Sequence, residues 1–197
     1  MTLKKSKLFV RFMTTMLLGL LVSGCGTSSV GGNSPIGASS SNGKSLPILT
    51  IDRNADSVTM DPIISQSNQD IWVFMNIYEQ LVKVNPAGNK IVPDLATSWQ
   101  ETKNHLQYTF HLRHGVKFSN GMSMTSADVK FSIQRAMSKK SLWRWTLKAI
   151  KNIQTPNKYT VVINLKKPWA PFLADVALFD VSVLPEKYFN KVGAEYF

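Results

Sequence analysis

VPDLATSWQETKNHLQYTFHLRHGVKFSNGMSMTSADVKFSIQRAM, running from Val92 to Met137, decides how the chain folds. Leu106, Tyr108, Phe110 and Leu112 alternate with Gln107, Thr109 and His111. That period of two predicts a strand with one dry face and one wet face. Gly115 and the Asn120-Gly121 pair mark turns on either side of Val116-Lys117-Phe118. Thr125 and Asp128 have capping-box spacing, and Val129, Ile133, Ala136 and Met137 follow on one helical face. A helix from about Ser126 to Met137 is the expectation. Pro93 to Ala96 reads as a turn, with Trp99 packed beneath the strand.

Outward from this stretch the signals mix in the same way. Leu46 to Arg53 is expected as a first strand and Asp56 to Pro62 as a loop. Ser67 and Asp70 suggest a second capping box. Behind it Ile71, Phe74, Met75, Tyr78, Leu81 and Val82 lie on one helical face. Leu81 to Val84 then turns through Pro86-Ala87-Gly88-Asn89 into Ile91 as a short hairpin. Beyond Met137, Leu142 to Ile150 reads as a helix. Ile150 to Gln154 and Tyr159 to Leu165 read as a hairpin around Thr155 to Lys158, with Tyr159, Val161, Ile163 and Leu165 inward. An apolar run from Phe172 to Val183 follows. Helices mixed with local antiparallel strands give an α+β class.

The N-terminus has a different character. Lys4, Lys5, Lys7 and Arg11 precede the apolar run Met13 to Val22, which at ten residues is half of the ~20 that a spanning helix needs. This is the pattern of an export signal. Val-Ser-Gly-Cys then resembles the lipobox of bacterial lipoproteins, which implies cleavage between Gly24 and Cys25 and a diacylglycerol-modified Cys25. It is the sole cysteine of the chain. Acyl chains would anchor the protein to the membrane. Gly26 to Ser45, rich in Gly and Ser, is expected to be a flexible tether. Without the four leader cations the formal net charge of +11 falls to +7. The remaining Lys and Arg are scattered and form no basic stripe, so nucleic acid is not an expected partner.

Reactive chemistry is not indicated. His105, His111 and His114 do not have metal-ligand spacing. There is no G-x-S-x-G elbow and no G-x-x-x-x-G-K-[ST] loop, and the 12 acidic residues are dispersed. No catalytic residue and no cofactor are expected. Among the five tryptophans, Trp143 and Trp145 lie two apart on the expected helix, so that one can be exposed and stack on a ligand.

VPDLATSW, YTFHLRHGVKF, SNGMSMTSADVKFSIQRAM and YTVVINLKKPWAPFL stand in the order seen in family 5 extracellular solute-binding proteins, which this chain resembles. Met60-Asp61-Pro62 and Ile77-Tyr78-Glu79 agree. The resemblance implies the oligopeptide-, dipeptide- or nickel-binding subunit of an ABC importer, with permease and ATPase partners and an extracytoplasmic location. It implies a two-lobed, type II periplasmic-binding-protein-like fold carrying an inserted smaller α+β domain. Residues 46–54 would begin the first lobe, 55–165 would form the insertion and 166–197 would return to the first lobe. The second large lobe would lie outside this chain. Two consequences are expected: cargo affinity that is weak or lacking, and apolar surface exposed near Phe172 to Val183. The loop carrying Ser57 and Asp61, and the Trp143-Trp145 segment, are the places expected to touch cargo. A lipid-anchored surface interaction module is the alternative without transport.

Overall fold

Tyr108, Phe110 and Leu112 are buried while Thr109 and His111 between them are half-exposed, so the alternation of the deciding stretch is realised in space. The computed structural model describes residues 50–196. In chain order its elements are α1 (Asn68–Ile77), β1 (Val82–Val84), β2 (Ile91–Pro93), β3 (Ala96–Glu101), β4 (Gln107–Leu112) and α2 (Ser126–Ala136). They continue with β5 (Ile150–Asn157), β6 (Thr160–Leu165), α3 (Phe172–Asp175) and α4 (Glu186–Val192). Short 3-10 turns occupy Phe179–Val181 and Ala194–Tyr196.

Four strands form one antiparallel sheet in the order β3-β4-β6-β5. Tyr108 lies opposite Ile163 and Phe110 opposite Val161, so the apolar faces of β4 and β6 coincide. On the far side of β4, Phe110 lies opposite Trp99. β3 has no clear apolar alternation, because only Ala96 and Trp99 are apolar along it, and the sequence pattern did not announce it. The hairpin between β5 and β6 is tighter than expected. β5 runs through Pro156 to Asn157, and the turn is Lys158-Tyr159, closed by the Tyr159 N–H donating to Asn157 Oδ1 at 2.9 Å. Pro156 is tolerated because β5 is an edge strand and its register shifts between Gln154 and Asn157.

Helix α2 starts as its sequence demands. The Thr125 N–H donates to Asp128 Oδ2 at 2.8 Å, completing a capping box. Val129, Ile133 and Ala136 then face the core shared with Phe110 and Ile163. From α3, Phe172 closes the same core. Its ring lies 4.5 Å from Tyr108 and 6.5 Å from Phe110 between centroids.

Several expectations are corrected. Thr50 to Arg53 are not strand, and Ile51 is 72% exposed, since no other described strand pairs with them; residues 46–49 lie outside the described residues. Ser67 does precede α1, yet the capping box is not formed. Asp70 instead accepts the Val58 N–H at 2.7 Å and the Ser65 hydroxyl at 2.6 Å. The helix ends at Ile77, and Tyr78 is extended, so Leu81 and Val82 reach the core along β1 and not on a helix face. Met75 is 71% exposed. Leu142 to Ala149 form turns, not a helix. Ser141 Oγ accepts the Trp143 N–H, and Thr146 donates both its N–H and its hydroxyl to the Trp143 carbonyl. Short polar side chains satisfying the nearby backbone compete here with the helical ladder. The run from Phe172 to Val183 is not an exposed apolar surface, because Phe172, Val176, Val181 and Val183 are buried in the common core. The short hairpin β1-β2 is present as expected, with Val84 opposite Ile91.

Candidate ligand-binding surface

Three side chains of α2, at spacings of four and three, face the C-terminal segment. Asp128 Oδ1 accepts the Glu186 N–H at 3.0 Å, and Ser132 Oγ accepts the Leu184 N–H at 2.9 Å. Arg135 stacks on the Phe189 ring, 4.3 Å from its centroid, and donates to Asp61 Oδ2. The helix thus fixes both the 184–189 segment and the loop that carries Asp61. Tyr78 completes this corner by donating its hydroxyl to the Met60 carbonyl at 2.8 Å. Burial and the negative charge of Asp61 push its phenol up to about 12, against the opposing effect of Arg135, so it is a permanent donor.

The loop anchored in this way supports an aromatic shelf. Trp143 donates its indole N–H to the Ser65 carbonyl at 2.8 Å, and the Leu142 N–H bonds the Ile63 carbonyl at 2.9 Å. Trp145 is 60% exposed, with its ring centroid 6.5 Å from that of Trp143. Ile64 and Leu142 are exposed on the same two segments. The structure therefore joins the two regions singled out in the sequence, but it divides their roles. Asp61 is buried, and its carboxylate is taken by Arg135 and the Ile63 N–H. Ser57 accepts a hydrogen bond from Arg53 at 3.0 Å. Trp143 is half-buried scaffold, and Trp145 is the face offered to solvent.

A second feature had no sequence signal. An open cleft of about 980 Å³ lies between the end of α1, the β1 hairpin, the Lys117 loop and residues 177–188. Its rim is organised by Asp94, which pairs with Lys83 at 2.9 Å and accepts the Gln80 N–H at 3.2 Å. Gln80 in turn donates its side-chain amide to Ser182 Oγ at 3.0 Å. Phe179 connects cleft and shelf. It lines the cleft, and its ring meets Trp143 edge-on at 5.1 Å. None of Ser57, Asp61, Trp143 and Trp145 lines the cleft. Its lining residues are spread over more than 110 positions of sequence, too far apart for any local pattern to reveal.

Two of the three histidines make side-chain contacts of their own. His105 contacts Glu101, and His114 stacks on Tyr159 at 3.9 Å between centroids. The hydroxyl of Tyr108, and secondarily His105, hold the Glu101 carboxyl below its ordinary range. Among the described residues no group of three His, Cys, Asp or Glu side chains could hold a metal ion. Nor is any described helix long and apolar enough to cross a membrane. Cys25 and Gly24 lie outside the described residues.

This mixed α/β body overlays part, about 30%, of the chains of solved type II periplasmic binding proteins. The PBP AgaA of A. tumefaciens R10, in complex with agropinic acid, is 32% identical with a TM-score of 0.65. The match covers 68% of this chain and 27% of that one. The ABC transporter-associated periplasmic binding protein DppA of Helicobacter pylori, in complex with the peptide STSA, is 30% identical with a TM-score of 0.63, over 70% of this chain and 31% of that one. Di/tripeptide-binding protein 4 of Pseudomonas aeruginosa (strain UCBPP-PA14) is 30% identical over 137 residues, 60% of this chain and 26% of that protein. The family described as bacterial extracellular solute-binding proteins, family 5 Middle, matches residues 90–195. The chain belongs to this family of extracytoplasmic solute-binding proteins. It spans about a quarter of the length of the curated relatives it matches.

Proposed function

We propose that the chain is part of the cargo-binding component of an ABC importer for short peptides. The family match over residues 90–195 carries this reading, with relatives named for di- and tripeptides and for a bound tetrapeptide. Trp145 supplies the local chemistry. An exposed indole beside a backbone pinned at Ser65 can lie on a peptide's side chains while leaving its main chain free to hydrogen-bond. Asp61 acts by holding the loop through Arg135, and Ser57 lies at the loop's outer end as a further contact. Permease and ATPase subunits are the proposed partners. Residues 46–54, 55–165 and 166–197 are proposed as the start of one lobe, an inserted domain and the return to that lobe. Nickel or a nickel chelate as cargo, and a surface interaction module, are the competing readings.

Titration of the chain with di-, tri- and tetrapeptides, followed by tryptophan fluorescence, tests the cargo class. Residues 1–197 should bind weakly, with Kd on the order of 1 mM, and Trp145→Ala should abolish the response. A response to nickel and none to any peptide would reverse the assignment.

The proposed anchor is a diacylglycerol thioether on Cys25 after cleavage behind Gly24, holding the chain on the outer side of the cell membrane. Metabolic labelling with a palmitate analogue should mark the chain in a bacterial host. Cys25→Ser should remove the label and release the protein from the membrane fraction. Label that persists in that variant would rule the anchor out.

A further inference from the structure

The sequence Leu178-Phe-Asp-Val-Ser-Val-Leu184 places one acid in an otherwise mostly apolar run. In the fold, Asp180 sits in the 3-10 turn Phe179–Val181, which packs against both α1 and α2. It is 1% exposed, and among the described residues neither carboxyl oxygen has a hydrogen-bond partner. A carboxylate so placed would be ionised away from bulk solvent, with no donor or cation from another residue beside it, which is strongly unfavourable. The neutral acid tolerates the site far better.

The segment around Asp180 is a wall of the cleft, and it is held by a row of single bonds. The Val183 N–H donates to the Glu79 carbonyl at 2.9 Å, the Leu184 N–H to Ser132, and the Glu186 N–H to Asp128. Gln80 reaches Ser182, and Phe179 lies between Phe74 and Trp143. We propose that residues 177–186 are a proton-dependent strap, closed on α1 and α2 while Asp180 is neutral and released to open the cleft wall when Asp180 ionises.

The direction follows from burial first. It pushes the carboxyl up to about 7 from 3.8; the residue's own backbone N–H opposes this, and Asp175 adds to it. With the folded value above the unfolded one, closure is fully favoured below the ordinary carboxylate value and is lost as pH rises through about 7. The charged groups on the packing elements are Asp70 of α1, Asp128, Lys130 and Arg135 of α2, and Asp175 of α3. Asp70, Asp128 and Arg135 are held by their own partners, and Asp175 accepts the Trp169 indole N–H. None of them bonds Asp180.

Hydrogen exchange at the amides of Val181, Val183 and Leu184, corrected for the intrinsic rate, reads the strap without any cargo. The opening equilibrium should rise by up to about tenfold per pH unit between the ordinary carboxylate value and about 7, then level off. In Asp180→Asn that slope should vanish. The same slope in the variant, or a flat profile in the unaltered chain, would overturn the proposal. Should the variant fail to fold, the carboxyl carbon of Asp180 can be titrated by NMR in the unaltered chain. A midpoint near neutrality supports the strap, and one in the ordinary carboxylate range sinks it.

Discussion

Arg135 places its guanidinium between the Asp61 carboxylate and the Phe189 ring, and both charged side chains are nearly excluded from water. Removing one partner of such a pair strands the other, so Arg135→Ala should cost about 3–5 kcal/mol. Asp61→Ala together with Arg135→Ala should cost clearly less than the two single changes added. Urea denaturation of the four proteins in the cycle measures both. Additive single changes would mean that the pair is solvated and does not hold the loop. From the sequence, the loop carrying Ser57 and Asp61 is a place expected to touch cargo. The actual partner of Asp61 stands 74 residues away, and no local pattern signals a pairing over that distance. The spacing of Trp143 and Trp145 on an expected helix predicts that one of them can be exposed; the segment forms turns instead, and Trp145 is the exposed one.

Helix α2 was the most readable element because its cap and its apolar face agree with each other. α1 shows how the same cue can mislead. Asp70 stands at capping-box spacing from Ser67, yet its carboxylate is recruited by Val58 and Ser65, a tertiary demand that overrides the local one. The polar residues Asp128, Ser132 and Arg135 carry as much of α2's role as its apolar face, since they hold the strap and the loop. Ser132→Ala leaves the Leu184 N–H without its acceptor and should destabilise by about 1–3 kcal/mol. Thr125→Ala, which removes only the helix cap, should cost about 1 kcal/mol. Thermal unfolding compares the two. Hydrogen exchange should also separate them, with Ser132→Ala loosening Leu184 and Thr125→Ala leaving the strap in place. If both variants loosen Leu184 equally, the helix acts as one unit and Ser132 has no particular hold on the segment.

At the scale of the whole described body, the core does not end where the sheet ends. Phe172, Val176, Val181 and Val183 lie beyond β6, yet they fill the same core as Phe110, Val129 and Ile163. The apolar run that contains them was visible in the sequence, but its destination was not. A run without strong periodicity can cover a sheet as well as extend one, and only the third dimension decides. A chain ended at Leu165 puts this to the test. Each of the four lost side chains contributes roughly 1.5–3 kcal/mol of burial, and the total compares with the ~5–15 kcal/mol that holds a typical domain folded. Tyr108, 4.5 Å from the Phe172 ring, and Phe110 would then face water. The shortened chain should lose its cooperative thermal transition, bind an apolar dye and associate. A sharp transition at the unshortened protein's midpoint would show instead that residues 55–165 stand alone, with the segment after Leu165 lying on their surface as cover and not as core.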